Sequence, residues 1–485
     1  MDLSRLRNGS TLPLAAGRAT AFAAAFFLPV VLARLFPPAV FGTYKQIFLL
    51  QMTLYGIAQI GTAESLFYFV PAGGARGGRF AANALVALAL SGLVTGALLV
   101  LGSPLIARWF DNPSLVHHLP VLAVVLWLVL FSAPLEILLT ARQRYLRAAA
   151  AYGVSNIVKA LLLLLPALLT GDLGWLMAGA VAFGVLRVVA TLAVARSEFG
   201  SALVPDRTLL REQATYVLPF AGYGLVEVVQ ASVHQLAVSA WTDPATFAIY
   251  AVGCLNVPLL ELVAAPASHV MMVGLRESEA TGDPRMGLRL WRDTTLRIAL
   301  IIVPCVVGLL LVSHEVIVLF FTDAYAASVP VFRVFILVLL FAVLQTDGVL
   351  RSHAAMRFLL LLGVFKLAVV LGTIKPLMTE LGLPGAALSL LLSTASAKAI
   401  ALWRMRRALH CSLRELLPWR GLSVVAGASL GAAVLGWLAK TFVPGPPLVA
   451  LAAAGAVFGA TYFFLAAGVV MPARRKSSCA ASPAS

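Results

Sequence analysis

The sequence predicts an all-α polytopic membrane protein of about 14 transmembrane helices, arranged as two homologous six-helix bundles plus two extra C-terminal helices. Composition, long apolar segments and an internal repeat predict this class. Hydrophobic residues make up 61% of the 485 residues, charged residues 12%, and the mean hydropathy is +0.96. Soluble domains carry about a quarter charged residues, so the chain lies well outside that class.

A membrane-spanning helix needs roughly 20 mostly apolar residues in succession. Some segments are unambiguous, since residues 82–107 contain no charged side chain. The predicted spans are 14–35, 46–70, 82–107, 116–140, 148–170, 174–195, 214–240, 246–273, 297–321, 330–350, 357–374, 384–403, 421–440 and 447–472.

The repeat begins with the pattern Pro-Ala-x-Phe-small-x-Tyr at residues 38–44, which recurs at residues 244–250. Later landmarks recur at a similar offset, which favours duplication over chance. They are Phe110 with Phe320, Pro120 with Pro330, Arg147 with Arg357 and Gly153 with Gly363. We therefore predict an N-terminal bundle at 1–197, a second bundle at 198–410, two added helices at 411–472 and a cytoplasmic tail at 473–485.

Lys and Arg are concentrated in alternate loops, as expected where basic residues are retained on the cytoplasmic side. The loop after the fourth span, for example, holds Arg142, Arg144 and Arg147. This pattern predicts that both termini are cytoplasmic; the family resemblance described below implies that the membrane is the inner membrane of a bacterium. The net charge of +16 then reflects topology and contact with anionic membrane lipids, and nucleic acid is excluded as a partner.

No catalytic motif is present, and no loop is long enough to form a separate catalytic domain. The four cysteines have no metal-ligand spacing, and no cleavable signal peptide is expected at the N-terminus. The sequence therefore predicts a protein that is not an enzyme and has no cofactor or metal.

Four of the bases within predicted spans lie on the fifth and sixth helices of the two halves, and ionisable groups there are costly and usually face a bundle interior or a wet cavity. Lys159 and Lys366 are on the fifth helix of each half, and Arg187 and Lys398 are on the sixth. Their convergence would favour an anionic ligand such as a diphosphate. Alternatively, each base snorkels to an interface or pairs with a carboxylate as part of the structure.

Other candidates divide into coupling groups and head-group contacts. Glu227 and His234 are seven residues apart on one helix, and Glu261 follows on the next. They could relay protons, or pair with interior bases. Arg18 and Arg297 lie near cytoplasmic helix starts, as anchors or as contacts to an anionic head group.

Two more carboxylates have simpler interpretations. Asp347 and Arg351 have i, i+4 spacing and are expected to pair locally. Glu136 aligns with Asp347 to within one position, and the same interpretation applies to it.

Three segments resemble the polysaccharide-transporter branch, the O-antigen and exopolysaccharide flippases, of the multidrug/oligosaccharidyl-lipid/polysaccharide (MOP) exporter superfamily. They are residues 33–44 (ARLFPPAVFGTY), 65–71 (SLFYFVP) and 320–332 (FFTDAYAASVPVF). The resemblance implies two bundles around a V-shaped central cavity. It also implies transfer of undecaprenyl-diphosphate-linked glycan from the cytoplasmic to the periplasmic leaflet by alternating access, for surface polysaccharide such as lipopolysaccharide or exopolysaccharide. Polysaccharide polymerase or assembly proteins would then be possible partners.

Three alternatives stay open. A cation- or proton-coupled multidrug or metabolite antiporter of the same superfamily would usually have twelve spans. A lipid II flippase would share the plan of fourteen. A membrane glycan polymerase or ligase would need a large periplasmic loop, which the sequence lacks.

Overall fold

A computed structural model describes residues 26–479, apart from 256, 258–262, 282–283, 353–355, 410 and 444–445. The described residues are almost entirely helical and contain no strand. Contacts divide the chain into two compact units, Met1–Ala251 and Val252–Ser485. The chain is an all-α membrane protein of the predicted class, while the predicted bundle boundary at 197/198 stays a prediction.

The first unit contains eleven helices among its described residues, with short 3₁₀ turns at Gly74–Arg76 and Gly200–Ala202. They are α1 (Phe26–Leu35), α2 (Pro38–Gln59), α3 (Leu66–Gly73), α4 (Gly77–Leu101), α5 (Ser103–Trp109), α6 (Leu115–Ser132), α7 (Leu135–Ala141), α8 (Tyr145–Thr170), α9 (Leu173–Phe199), α10 (Arg207–Trp241) and α11 (Pro244–Gly253).

The second unit contains ten helices in its described ranges, with 3₁₀ turns at Asp323–Ser328 and Val338–Val343. They are α12 (Ala265–Thr281), α13 (Pro284–Leu311), α14 (Ser313–Phe321), α15 (Val329–Leu337), α16 (Thr346–Ser352), α17 (Met356–Leu381), α18 (Leu383–Ala408), α19 (Leu413–Leu416), α20 (Trp419–Phe442) and α21 (Pro447–Cys479). The helices α20 and α21 pack on each other and on α13.

The core of the first unit is built around α6, which packs against α2, α4 and α9. Leu122, Leu126 and Leu130, spaced four residues apart on one face of α6, are fully buried. In contrast, α8 exposes a row of large apolar side chains that includes Val154, Leu161 and Leu165. Such a surface is suited to contact with lipid, since a membrane protein need not cover its outer apolar face.

The two copies of the repeated motif pack directly against each other in the first unit. Both begin a helix with proline, Pro38 in α2 and Pro244 in α11, where the missing N–H costs nothing. A Cβ atom placed on Gly42 would lie 1.7 Å from the carbonyl oxygen of Pro244. Only glycine allows the two backbones to approach this closely.

The fifth and sixth predicted spans form a helical hairpin in each unit, α8 with α9 and α17 with α18. The first helix of each hairpin is 26 residues long. Each is followed by a glycine with positive φ, 65° at Gly171 and 67° at Gly382, a conformation that glycine adopts without steric penalty. The equal lengths and the matching turns support the predicted duplication.

Each predicted span overlaps a helix in the part of the chain that the structure describes, but the count of about 14 is not confirmed. Ten helical stretches there are long and apolar enough to cross a membrane. An eleventh, formed by Arg207–Leu218 and Ala221–Trp241, is bent by 53°. Phe26–Leu35 and Pro244–Gly253 are apolar but shorter than a span.

Candidate functional site

Arg187 forms a buried, bidentate ion pair with Glu136 in the first unit. Arg187 lies on α9 and Glu136 in the first turn of α7. Arg187 Nη1 donates to Glu136 Oε1 at 2.7 Å and Nη2 donates to Oε2 at 2.9 Å. Two parallel bonds between planar groups are the strongest form of such a pair, and they fix the orientation of both side chains.

Ser132, at the end of α6, completes the contacts of this guanidinium. Arg187 Nε donates to the Ser132 hydroxyl at 3.3 Å, and Nη2 donates to the Ser132 carbonyl at 3.2 Å. The side chains of Arg187 and Glu136 are 16% and 7% exposed. Burial of a charge is tolerated where its partner and hydrogen bonds replace water, and this pair therefore joins the ends of α6 and α7 to α9.

Lys398 forms the corresponding pair in the second unit. Its Nζ donates to Thr346 Oγ1 at 2.9 Å and to Asp347 Oδ1 at 3.3 Å. Carboxylate and base are 51 residues apart in the chain, as are Glu136 and Arg187. The duplication thus extends from helix lengths to an ion pair between the fourth and sixth predicted spans of each half.

Lys159, on α8, has a different environment. Among the described residues none makes a hydrogen bond or an ion pair with its ammonium group, although Arg187 is close enough to repel it electrostatically. Because Glu136 is held by Arg187, the acid does not neutralise both bases. The interior of the first unit therefore carries excess positive charge beside Lys159.

Lys366, on α17, is close enough to Asp347 to interact with it electrostatically. Its backbone carbonyl accepts a hydrogen bond from the Ser393 hydroxyl of α18 at 2.8 Å, which joins the two helices of the hairpin at this level. In the second unit one acid, Asp347, thus interacts with both bases that the sequence singles out there, although only Lys398 makes the direct contact.

The candidate coupling residues on α10 lie in different surroundings. Glu227 is exposed and accepts a hydrogen bond from the Tyr223 hydroxyl one turn earlier. His234 is buried, with Nδ1 2.7 Å from the hydroxyl of Tyr250, the last residue of the repeated motif. Glu227 and His234 are seven residues apart on α10, but the Glu227 side chain is exposed to solvent and the His234 side chain is not.

The remaining candidates are exposed or not described. Arg297, on α13, has an exposed side chain. Arg18 and Glu261 lie outside the described residues. Within the described ranges, no group of three or more His, Cys, Asp or Glu side chains could hold a metal ion.

The sequence identifies Arg187 and Lys398 as interior bases but does not identify the carboxylates that pair with them. Pairing with a carboxylate is one of the two interpretations that the sequence leaves open for Arg187 and Lys398, and the structure shows it for both. Spacing along one helix assigns the two acids to local pairs instead. The 51-residue separation common to both halves is the signal that could have identified the long-range partners.

Comparison with solved structures identifies the fold. A lipid II flippase, MurJ, in an inward closed conformation matches with a TM-score of 0.74 and 13% identity, covering 94% of this chain and 100% of that one. An inward-facing multidrug resistance MATE family transporter of the MOP superfamily matches with a TM-score of 0.63 and 16% identity, covering 84% and 97%. A MOP superfamily transporter from Pyrococcus furiosus gives 0.56 and 16%, covering 83% and 96%.

The chain therefore has the fold of a MOP superfamily transporter. A family described as "polysaccharide biosynthesis protein" matches residues 31–330, more than half of the sequence, and the chain belongs to this family. A search of curated proteins gave no match. The suspected superfamily is thus confirmed, and the protein is a multi-pass membrane protein with a flippase-like transporter fold.

Proposed function

We propose that this protein transfers undecaprenyl-diphosphate-linked glycan repeat units from the cytoplasmic to the periplasmic leaflet of a bacterial inner membrane by alternating access. The glycan would serve the synthesis of a surface polysaccharide, lipopolysaccharide or exopolysaccharide. Membership of the polysaccharide biosynthesis family supports this proposal. The likeness to a lipid II flippase supports the transporter fold on which it depends.

Lys159 carries the proposal at the level of chemistry. A half-buried ammonium with no carboxylate partner among the described residues is an unfavourable arrangement for a purely structural group. A diphosphate would supply the missing negative charge and accept its N–H groups. Lys366, on the corresponding helix of the second unit, is also proposed to contact the substrate, because its position corresponds to that of Lys159.

The other proposed substrate-binding residues have different tasks. Arg187 and Lys398 form ion pairs with Glu136 and Asp347. We therefore propose that these two bases contribute to the positive potential at the substrate site and hold their helices in position. Arg18 and Arg297 are proposed to meet the anionic head group from the cytoplasmic side. Glu227, His234 and Glu261 are proposed as coupling residues if a proton or cation drives transport.

The topology and the partners belong to the same proposal. Both termini are placed in the cytoplasm by the distribution of Lys and Arg. Polysaccharide polymerase or assembly proteins would receive the transferred unit on the periplasmic side. The reaction requires no covalent chemistry by this chain, and we assign it no catalytic residue or cofactor.

Gene deletion followed by complementation tests the proposal. The deletion strain is expected to lose surface glycan and to accumulate lipid-linked repeat units on the cytoplasmic leaflet. A K159A/K366A variant at normal abundance should restore export poorly, whereas the K159R/K366R variant keeps both charges and should restore most of it. Normal glycan with altered drug tolerance in the deletion strain would instead favour the antiporter. Unimpaired export by K159A/K366A would remove the two lysines from the substrate site.

A further inference from the structure

A groove opens between α8 and α9 on the first unit. Arg187 is among its lining residues, but the function proposed above assigns the groove no ligand. Its volume is about 440 Å³, within the roughly 300–1,000 Å³ of small-molecule sites. The two helices touch near the Gly171 turn, where a Cβ on Gly179 would lie 1.9 Å from the Leu162 carbonyl oxygen. Nearer the opposite end of the hairpin, the groove is lined by residues of both helices and by Leu135 and Leu139 of α7.

The walls of the groove are apolar over most of their length. Small residues of the two facing helices, Ala151 on α8 and Ala190 on α9, leave the space open, and Val154 lies on its exposed lip. The polar lining residues are Ser155, Ser197, Arg147 and Arg187, and the guanidinium of Arg187 is engaged by Glu136. A cleft of this kind suits a hydrocarbon chain, since burying apolar surface is favourable and no polar partner is needed inside.

One end of the groove is bounded by Arg147, which belongs to a cluster of three arginines around a single carboxylate. Arg142, Arg144 and Arg147 approach Glu198 with N to O distances of 3.4, 3.6 and 3.5 Å. Glu198 is nearly buried, whereas the three arginine side chains are 44–68% exposed. Three positive charges facing one negative charge leave formal positive charge and many free N–H donors at the mouth.

We propose that this groove binds a membrane phospholipid with an anionic head group, one acyl chain lying between α8 and α9 and the phosphate held by Arg142, Arg144 and Arg147. Arginine is suited to this task because its planar fork binds phosphate oxygens in pairs. The charge excess at the mouth selects an anionic over a zwitterionic head group. The proposal is independent of which substrate the protein transports.

Lipid binding to the purified full-length protein in an uncharged detergent tests the proposal. Native mass spectrometry would compare dioleoylphosphatidylglycerol with dioleoylphosphatidylcholine, which has the same acyl chains. We expect about tenfold or greater preference for phosphatidylglycerol over phosphatidylcholine, because each arginine near an anionic group contributes several-fold to the affinity. The R142Q/R144Q/R147Q variant should lose that preference. The matched control, R404Q/R406Q/R407Q, removes three charges from the end of α18 and should retain the preference.

Filling the groove separates a lipid site from general attraction between charges. A190F places a large ring between the helices, and V154W closes the exposed lip with less risk to folding. Either variant should weaken phosphatidylglycerol binding with all arginines present. Glycerol phosphate, which has no acyl chain, should not displace the lipid.

Four results would overturn the proposal. Equal losses in the two triple variants would mean that the arginines act only as distributed charge. Unchanged binding in A190F and V154W, or displacement by glycerol phosphate, would mean that the groove holds no chain. Displacement by undecaprenyl phosphate at a lower concentration than the phospholipid would assign the groove to a polyprenyl lipid instead.

Discussion

The two ion pairs occupy corresponding places in the two units but differ in strength. Glu136 and Arg187 meet through two short parallel bonds, and both side chains are mostly buried. Lys398 meets Asp347 through one contact at 3.3 Å, and the Asp347 side chain is 51% exposed. Duplication has preserved the positions of the charges, while the surroundings decide how much free energy each pair contributes.

Removing the acid from each pair should give the largest contrast. E136A leaves a buried guanidinium without its counter-charge and is expected to lower the free energy of unfolding by about 3–5 kcal/mol. D347A should cost about 1 kcal/mol or less, because water reaches the acid of that pair. Thermal unfolding of the two purified variants in the same detergent measures the difference. Equal losses of stability in E136A and D347A would show that the solvent exposure of the acid does not determine how much each pair contributes.

Exchanging the bases sharpens the same contrast. R187K keeps the charge but cannot form two parallel bonds or reach Ser132 with the same geometry, and a loss of about 1–3 kcal/mol is expected. K398R keeps a donor near both Thr346 and Asp347, and its effect should be smaller. Protein abundance and unfolding temperature measure both. A larger loss in K398R would contradict the ranking.

A third contrast compares a crowded glycine with an open one. G42A forces a methyl group against the Pro244 carbonyl and should destabilise the first unit by about 1–3 kcal/mol. Gly372, on α17, has no atom within 4 Å of the corresponding position. G372A should therefore be neutral or slightly stabilising, because alanine favours helix. Comparable gains in both variants would mean that helix propensity, and not the contact with Pro244, decides the result.

The smallest effect is expected at exposed acids, which serve as a reference for the buried pairs. The pKa of Asp206 is lowered by hydrogen bonds from the Thr208 side chain and the Leu209 N–H, and the pKa of Asp243 by the Thr246 side chain. A lowered pKa in the folded state stabilises the protein above the unfolded value of about 3.9. This contribution is lost as the pH falls through the lower folded values.

Unfolding temperatures measured between pH 7 and pH 3 test this expectation. The wild type should lose stability toward the acid end of the range, and D206N and D243N should lose less over the same interval. A steeper loss in either variant than in the wild type would contradict the assigned sign.

Sequence reasoning predicted the fold class, the superfamily and the helices of both hairpins, because hydrophobicity and internal repetition are written along the chain. It also placed Lys159 and Arg187 inside the first unit. Spacing along one helix did not identify Glu136 as the partner of Arg187, because this pairing across three helices depends on packing; in the sequence only the separation common to both halves indicates it. Hydropathy could not give the number of spans either. Bends such as the 53° bend within Arg207–Trp241 interrupt a helix without changing the composition of the apolar segment.

The common 51-residue separation has a consequence for which length changes the chain tolerates. Adding or deleting one residue inside α8 or α9 would rotate the downstream part of the helix by about 100° and turn Arg187 away from its acid. In each unit, the pair between acid and base therefore constrains the number of residues between them. Because the intervening stretches are equally long, exchanging residues 137–186 for 348–397 would keep each acid 51 residues from its base.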